Sequence, residues 1–167
     1  MNKGTLTSVQ MATIVALRVL IGWHFLYEGL SKLTADSWSA KGFLLQSRGM
    51  FAEAFRWLAA DPERLNLVNQ LNMWGLTLIG LGLILGCFTR LASAAGMLVI
   101  LLFYLCNPPF IGYFYSIPME GSYLIVNKNL VELAALAVVF VTGSGQVVGL
   151  DRIIHALLGK RARTVEA

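Results

Sequence analysis

The sequence predicts an all-α integral membrane protein, a four-helix bundle with an amphipathic helical segment in a long first loop. Of its 167 residues, 57% are hydrophobic and 13% are charged, whereas soluble domains carry about 25% charged residues. So little polar surface would not cover a water-soluble core. The net charge of +4 is sparse along most of the chain, which argues against nucleic-acid binding and disorder. Residues 1–167 are therefore predicted to form one membrane domain.

Four stretches approach the length of about 20 apolar residues that crosses a hydrocarbon core of about 30 Å. They cover residues 9–30, 71–88, 91–106 and 123–142. Glycines crowd the second stretch at positions 75, 80, 82 and 86. Because small residues let membrane helices approach closely, we expect neighbouring helices to pack against this one.

The order of the spans predicts their topology. Only Thr89 and Arg90 separate the second and third spans, so these two must form an antiparallel hairpin. Four spans place both termini on one side of the membrane. The short flanks of that side carry closely spaced basic residues, densest at 160–163, and such flanks usually lie in the cytoplasm. We therefore expect both termini to be cytoplasmic.

The segments outside the spans predict two surface helices. The first loop, residues 31–70, is too long for a plain connection. Within residues 43–58 the apolar side chains recur at helical spacing, at Leu44, Phe51, Phe55 and Leu58. This pattern predicts one amphipathic helix that lies in the membrane interface or caps the bundle. A second short surface helix is expected over residues 147–158.

Ionisable and polar side chains are concentrated in the first and fourth spans. A charge at the membrane centre costs roughly 2.5–3.5 kcal/mol, and such residues mark functional sites by default. On one face of the first span, within an arc of roughly 120°, lie Arg18, His24, Glu28 and Lys32. The fourth span carries Asn127, Lys128, Asn129 and Glu132. Because both spans reach the outer side, we expect two carboxylates, two cations and an imidazole from these sets to converge in the outer half of the bundle.

The aromatic and basic residues near this level also have structural explanations. Three aromatic residues, Trp23, Tyr27 and Trp74, fit the aromatic belt of a membrane interface as well as contact with a ligand. Lys32 and Lys128 could extend to the lipid headgroups. His24 could be a hydrogen-bonded packing residue.

The acidic residues and Arg18 have structural alternatives as well. Glu28 could pair with Lys32, and Glu132 with Arg18 or Lys128, and such pairs can fix the register of helices without any catalytic role. Arg18 lies about 15 Å of helix rise from Glu28. It is therefore either a tie between helices or the anion-facing end of a cavity.

Three groups of glycine, polar and charged residues stand out by their spacing. The first contains Arg18, Gly22, Gly29, Lys32 and Leu33. The second contains Gly80, Leu81, Gly82, Gly86, Thr89 and Arg90. The third contains Asn129, Leu130, Val131, Glu132, Thr142, Gly143, Gly145, Leu150 and Asp151. In this order they resemble the motifs of the DoxX family, whose members include the membrane subunit of thiosulfate:quinone oxidoreductase.

The resemblance implies a four-helix bundle in a bacterial-type cytoplasmic membrane, with both termini cytoplasmic. It also implies a quinone-linked redox system, with thiosulfate oxidation among its activities and a soluble or membrane redox subunit as a partner. Whether the chain also forms a homo-oligomer stays open. Two cysteines without a ligand motif and two histidines lead us to expect no metal or haem site.

We therefore hypothesise a membrane subunit that binds quinone as a substrate within the bundle. A quinone headgroup needs an apolar slot, hydrogen-bond donors at its carbonyls and a route for protons. The catalytic candidates are Glu28, Glu132 and His24. The quinone- or substrate-binding candidates are Arg18, Lys32, Lys128, Asn129, Trp23, Tyr27 and Trp74. The alternative is a non-catalytic membrane anchor or assembly partner of a soluble oxidoreductase.

Overall fold

The computed structural model describes residues 6–116 and 124–165, the last eight of these by backbone alone. The described residues form seven α-helices and no β-strand. These helices are α1 (Ser8–Leu33), α2 (Lys41–Leu45), α3 (Ala52–Ala60), α4 (Pro62–Leu85), α5 (Thr89–Cys106), α6 (Lys128–Thr142) and α7 (Leu150–Val165). By length and composition, α1, α4 and α5 could each cross a membrane. The all-α membrane class is thus confirmed.

Helix α6 is shorter than the span predicted for this region. Its 15 residues fall below the length of about 20 that crosses the hydrocarbon core, so the four-helix bundle stays a prediction. The Asn127 side chain accepts a hydrogen bond from the Leu130 backbone N–H at 3.2 Å, which caps the helix start. The predicted start at Tyr123 lies outside the described residues.

Helix α4 begins at residue 62, nine residues before the predicted span, so the prediction of a loop through residue 70 was wrong. The Asp61 carboxylate accepts hydrogen bonds from the backbone N–H groups of Glu63 at 2.9 Å and Arg64 at 3.0 Å. Pro62 occupies the first helical position, where its missing N–H costs nothing. These donors, Arg64 foremost, lower the pKa of Asp61.

The single amphipathic helix predicted over residues 43–58 was also wrong, because the chain turns between α2 and α3. Gly49 takes a left-handed conformation there, with φ +84°. The turn lets the Ser47 hydroxyl donate to the Cys106 carbonyl at 2.7 Å, and the Arg48 N–H donate to the same oxygen at 3.2 Å. One orphan carbonyl at the end of α5 is thereby satisfied, which a continuous helix would not achieve.

The long helices pack in sequence, α1 along α4, α4 against α5, and α5 against α6, while α6 also touches α1. The α1–α4 contact is close because of glycine. A Cβ atom at Gly80 would lie 2.7 Å from the Gly22 carbonyl oxygen and 2.7 Å from the Leu26 Cα. Gly80 thus fulfils the expectation of close approach, whereas a Cβ at Gly75 would meet nothing within 4 Å.

The two ends of the helices differ in what covers them. We use "hairpin end" for the end that holds the α4–α5 turn, and "loop end" for the opposite end, where α2 and α3 lie. A 3₁₀ turn over Ser144–Gln146 follows α6 at the hairpin end. Helix α7 then runs over Leu150–Val165, beginning and ending later than the predicted surface helix.

Candidate functional site

A cavity of about 520 Å³ lies at the loop end, lined by residues of α1, α4, α5, α6 and the first loop. Ligand sites for small molecules usually measure about 300–1,000 Å³. Its aromatic walls come from Trp38, Phe43 and Phe103. Its polar lining includes Glu28, Lys32, Asn72, Asn107, Asn127, Lys128 and Asn129. The long first loop thus forms part of the wall of this cavity.

Lys32 is held by a carboxylate and two aromatic rings. Its Nζ lies 3.2 Å from Glu28 Oε2, one helical turn away, which is the geometry that stabilises i,i+4 pairs. The same Nζ lies 5.2 Å from the ring centroid of Trp38 and 5.8 Å from that of Phe103, both within cation–π range. The predicted Glu28–Lys32 pair is therefore present, with the ammonium group in the cavity wall.

Two asparagines that line the cavity have unused hydrogen-bonding capacity. Asn107 is 3% exposed, and its Nδ2 donates to the Phe43 carbonyl at 3.4 Å. The Oδ1 atoms of Asn107 and Asn72 are buried, and no donor among the described residues reaches either one. Buried polar atoms normally have a partner, so each oxygen is available to a hydroxyl or N–H group of a ligand.

The second carboxylate joins α6 to α1. Glu132 Oε1 lies 2.7 Å from His24 Nδ1, a partner that was not among the alternatives that the sequence suggested for Glu132. A smaller cavity of about 140 Å³ is lined by His24, Glu28, Lys128 and Asn129 among others. Because Glu28, Lys128 and Asn129 line both cavities, the His24–Glu132 pair stands next to the main cavity.

The comparison with protein families gives a match to one family model, DoxX, over residues 13–106. The match covers more than half of the chain. The chain belongs to the DoxX family. The matched residues include Glu28 and Lys32, whereas the third group of motif residues, 129–151, lies outside the match. No curated protein and no solved structure matches the chain significantly.

Arg18, which belongs to the first group of DoxX-like motif residues, does not lie at the cavity. Arg18 is 2% exposed and lies at the hairpin end, where its Nη1 donates to Ser144 Oγ at 3.2 Å and its Nη2 donates to the Val148 carbonyl at 2.9 Å. Of the two alternatives for Arg18, the geometry corresponds to the tie between helices. Arg18, a candidate for binding quinone or substrate, therefore does not line either cavity.

The other DoxX-like residues at the hairpin end form a second structural tie. The Asp151 carboxylate accepts hydrogen bonds from the backbone N–H groups of Phe88 at 2.6 Å and Thr89 at 2.9 Å. It thereby caps the start of α5. Burial alone would raise the pKa of Asp151, but the hydrogen bonds from Thr89 and Phe88 outweigh burial and lower this pKa. Gly145 packs against both Thr89 and Asp151, where a side chain would not fit.

The aromatic candidates lie on the outer surface of this DoxX protein. Trp23, Tyr27 and Trp74 are 61%, 63% and 53% exposed, and none of them lines either cavity. Their position agrees with the interfacial belt. The aromatic residues that do line the cavity are Trp38, Phe43 and Phe103. They were missed because the sequence did not predict how the first loop, which carries Trp38 and Phe43, folds against the long helices.

Proposed function

We propose that this DoxX protein is the membrane subunit of a quinone-linked redox system and that a quinone headgroup binds in the loop-end cavity. The observation that carries this proposal is the Lys32 ammonium group between two aromatic rings, 3.2 Å from a carboxylate. A planar ring can stack on aromatic walls. Its carbonyl oxygens need donors, and its reduction needs protons.

The cavity residues suit both redox states of such a ligand. Lys32 would donate a hydrogen bond to one quinone carbonyl, and the amide of Asn129 would donate to the other. Glu28 would deliver protons to the reduced oxygens. The product carries hydroxyl donors, which the unpartnered oxygens of Asn72 and Asn107 would accept.

Quinone reduction consumes two electrons and two protons, and a reduced substrate or a partner subunit would supply the electrons. Thiosulfate is one such donor, since two thiosulfate anions release two electrons as they join to form tetrathionate. Lys32 and Lys128, which line the cavity, offer cationic contacts for an anion of this kind. We therefore include thiosulfate oxidation in the proposal.

Quinone binding and thiosulfate-dependent quinone reduction by the purified protein in liposomes test this proposal. Lys32→Met should weaken quinone binding about tenfold or more, because a hydrogen bond to a charged group contributes about 1.5–3 kcal/mol. Lys41→Met, which removes an exposed lysine of α2, is the matched control and should bind as the wild type does. A wild-type protein that binds no quinone would refute the proposal.

The pairing of both carboxylates with basic partners favours a second candidate, a non-catalytic anchor or assembly partner of a soluble oxidoreductase. The variants Glu28→Gln and Glu132→Gln separate the two. Under the quinone proposal they abolish quinone reduction, because they remove the proton-exchanging groups. Two results together would establish the anchor. The wild type would not reduce quinone, and the protein would still capture and support a soluble oxidoreductase after both substitutions.

A further inference from the structure

The two cavities adjoin each other beside the contact between α1 and α6, and we refer to them together as the cleft. Phe103 and three polar residues, Glu28, Lys128 and Asn129, line both. The smaller cavity also reaches Leu76, Ile100 and Phe25, so its floor is apolar. Toward the middle of the helices the floor of the cleft is therefore apolar, while polar residues line both cavities.

The cleft reaches the outer surface of the helices well inside the membrane-spanning length. His24 lies eight residues before Lys32, which corresponds to about 12 Å of helix rise toward the middle of α1. Its side chain is 47% exposed although it is bonded to Glu132. Polar side chains at this depth normally face a protein interior or a water-filled space, so a half-exposed imidazole marks a gap between α1 and α6.

The packing of α1 is consistent with a gap on this side. Along α4 the helix makes its most extensive contact, tightened by the glycines at Gly22, Gly29 and Gly80. Its contact with α6 is much smaller. The His24–Glu132 pair is a side-chain bond across this part of the contact.

We infer that the gap between α1 and α6 is a lateral opening to the bilayer, through which the hydrocarbon tail of a long-chain quinone leaves the cavity while its headgroup stays bound. This inference rests on the proposed function. An isoprenoid tail is too apolar to leave at the polar loop end, and the apolar floor formed by Leu76 and Ile100 leads it toward lipid. The His24–Glu132 pair borders the opening and must separate or shift as the headgroup passes.

Photolabelling of the wild-type protein tests where the tail lies. The probe is a benzoquinone with a decyl tail that carries a diazirine on the carbons next to the ring. Labelling that an excess of unmodified decyl-quinone suppresses should fall on α1 around His24 and on α6 around Glu132. Suppressible labelling that is confined to the first loop, or to the outer face of α4 and α5, would overturn the inference of a lateral opening. Such labelling would still show that the quinone binds, so the proposed function would stand.

A reversible closure of the gap gives a second test. In the double variant His24→Cys/Glu132→Cys, a short disulfide-forming cross-linker should slow entry of the decyl-quinone at least tenfold, and a reductant should restore it. A tail-less benzoquinone should still enter at its original rate. The two single variants, treated alike, control for reaction at one site and at Cys87 or Cys106. An unchanged rate for the decyl-quinone would overturn the inference, and absence of binding by either quinone to the wild type would refute the proposed function as well.

Discussion

The substitution Gly80→Ala is expected to destabilise the protein by about 1–3 kcal/mol, the usual cost of overpacking a filled site. The new methyl group would lie 2.7 Å from the Gly22 carbonyl oxygen and from the Leu26 Cα, where ordinary contact begins at 3.4 Å. The Leu26 backbone nitrogen would lie closer still, so the helices would have to separate by at least roughly 0.7 Å, the difference between these distances. All three obstructing atoms belong to backbone, so no side-chain rotation can relieve the overlap.

Thermal unfolding of the detergent-purified protein measures this effect. For a chain of this size each kcal/mol shifts Tm by about 2–4 °C, so Gly80→Ala should lower Tm by about 2–12 °C. Gly75→Ala is the matched control in the same helix, because a Cβ there meets nothing within 4 Å. It should leave Tm unchanged or raise it, since alanine favours helix by roughly 0.5–1 kcal/mol. Equal shifts for the two variants would refute the reasoning.

Three further predictions concern the polar ties. Asp151→Ala should lower the free energy of unfolding by about 1–2 kcal/mol, because it removes the cap of α5. The pKa of Asp151 is lowered in the fold, so the resulting difference in Tm from the wild type should be full at neutral pH and vanish as the pH falls through that pKa. A pH-independent difference in Tm would contradict the capping role. Ser47→Ala should lower the free energy of unfolding by about 0.5–1.5 kcal/mol and speed proteolysis of the first loop, because the hydrogen bond to the Cys106 carbonyl is lost. Unchanged proteolysis would show that this bond does not hold the loop. Burial raises the pKa of Tyr115 to about 12, so absorbance titration should contain a late phase that Tyr115→Phe removes, and persistence of that phase in the variant would contradict the assignment.

Hydropathy predicted the helices whose surfaces are uniformly apolar and failed where polar residues enter a helix. Thus α5 ends at Cys106 as expected, because Asn107 and Pro108 stop it. The first two turns of α4 escaped notice because residues 62–72 are rich in polar side chains, although Asp61 and Pro62 carry a readable start signal. The turn at Gly49 depends on a bond to Cys106, some 60 residues away in sequence, and local periodicity carries no information about it.

The candidate site shows the same division between local and distant contacts. The Glu28–Lys32 pair follows from helical spacing and was predictable. The bond between His24 and Glu132 joins residues 108 positions apart, and the sequence offered Glu132 several equally reasonable partners. Arg18 was grouped with Glu28 because both lie on one face of the first helix. A shared face does not fix the depth in the membrane at which a neighbouring segment supplies a hydrogen-bond partner.

The tie at Arg18 has a consequence for the order in which the chain can assemble. Its guanidinium belongs to α1, whereas its acceptors, Ser144 and the Val148 carbonyl, lie 126 and 130 residues later in the chain and therefore leave the ribosome much later. Until then the nascent chain holds a charged group in the membrane without these partners, at a cost of roughly 2.5–3.5 kcal/mol. Final docking of α1 must therefore wait until residues 144–148 have been made, and a chain that stops before residue 144 would expose an unsatisfied arginine to the cell's quality-control machinery.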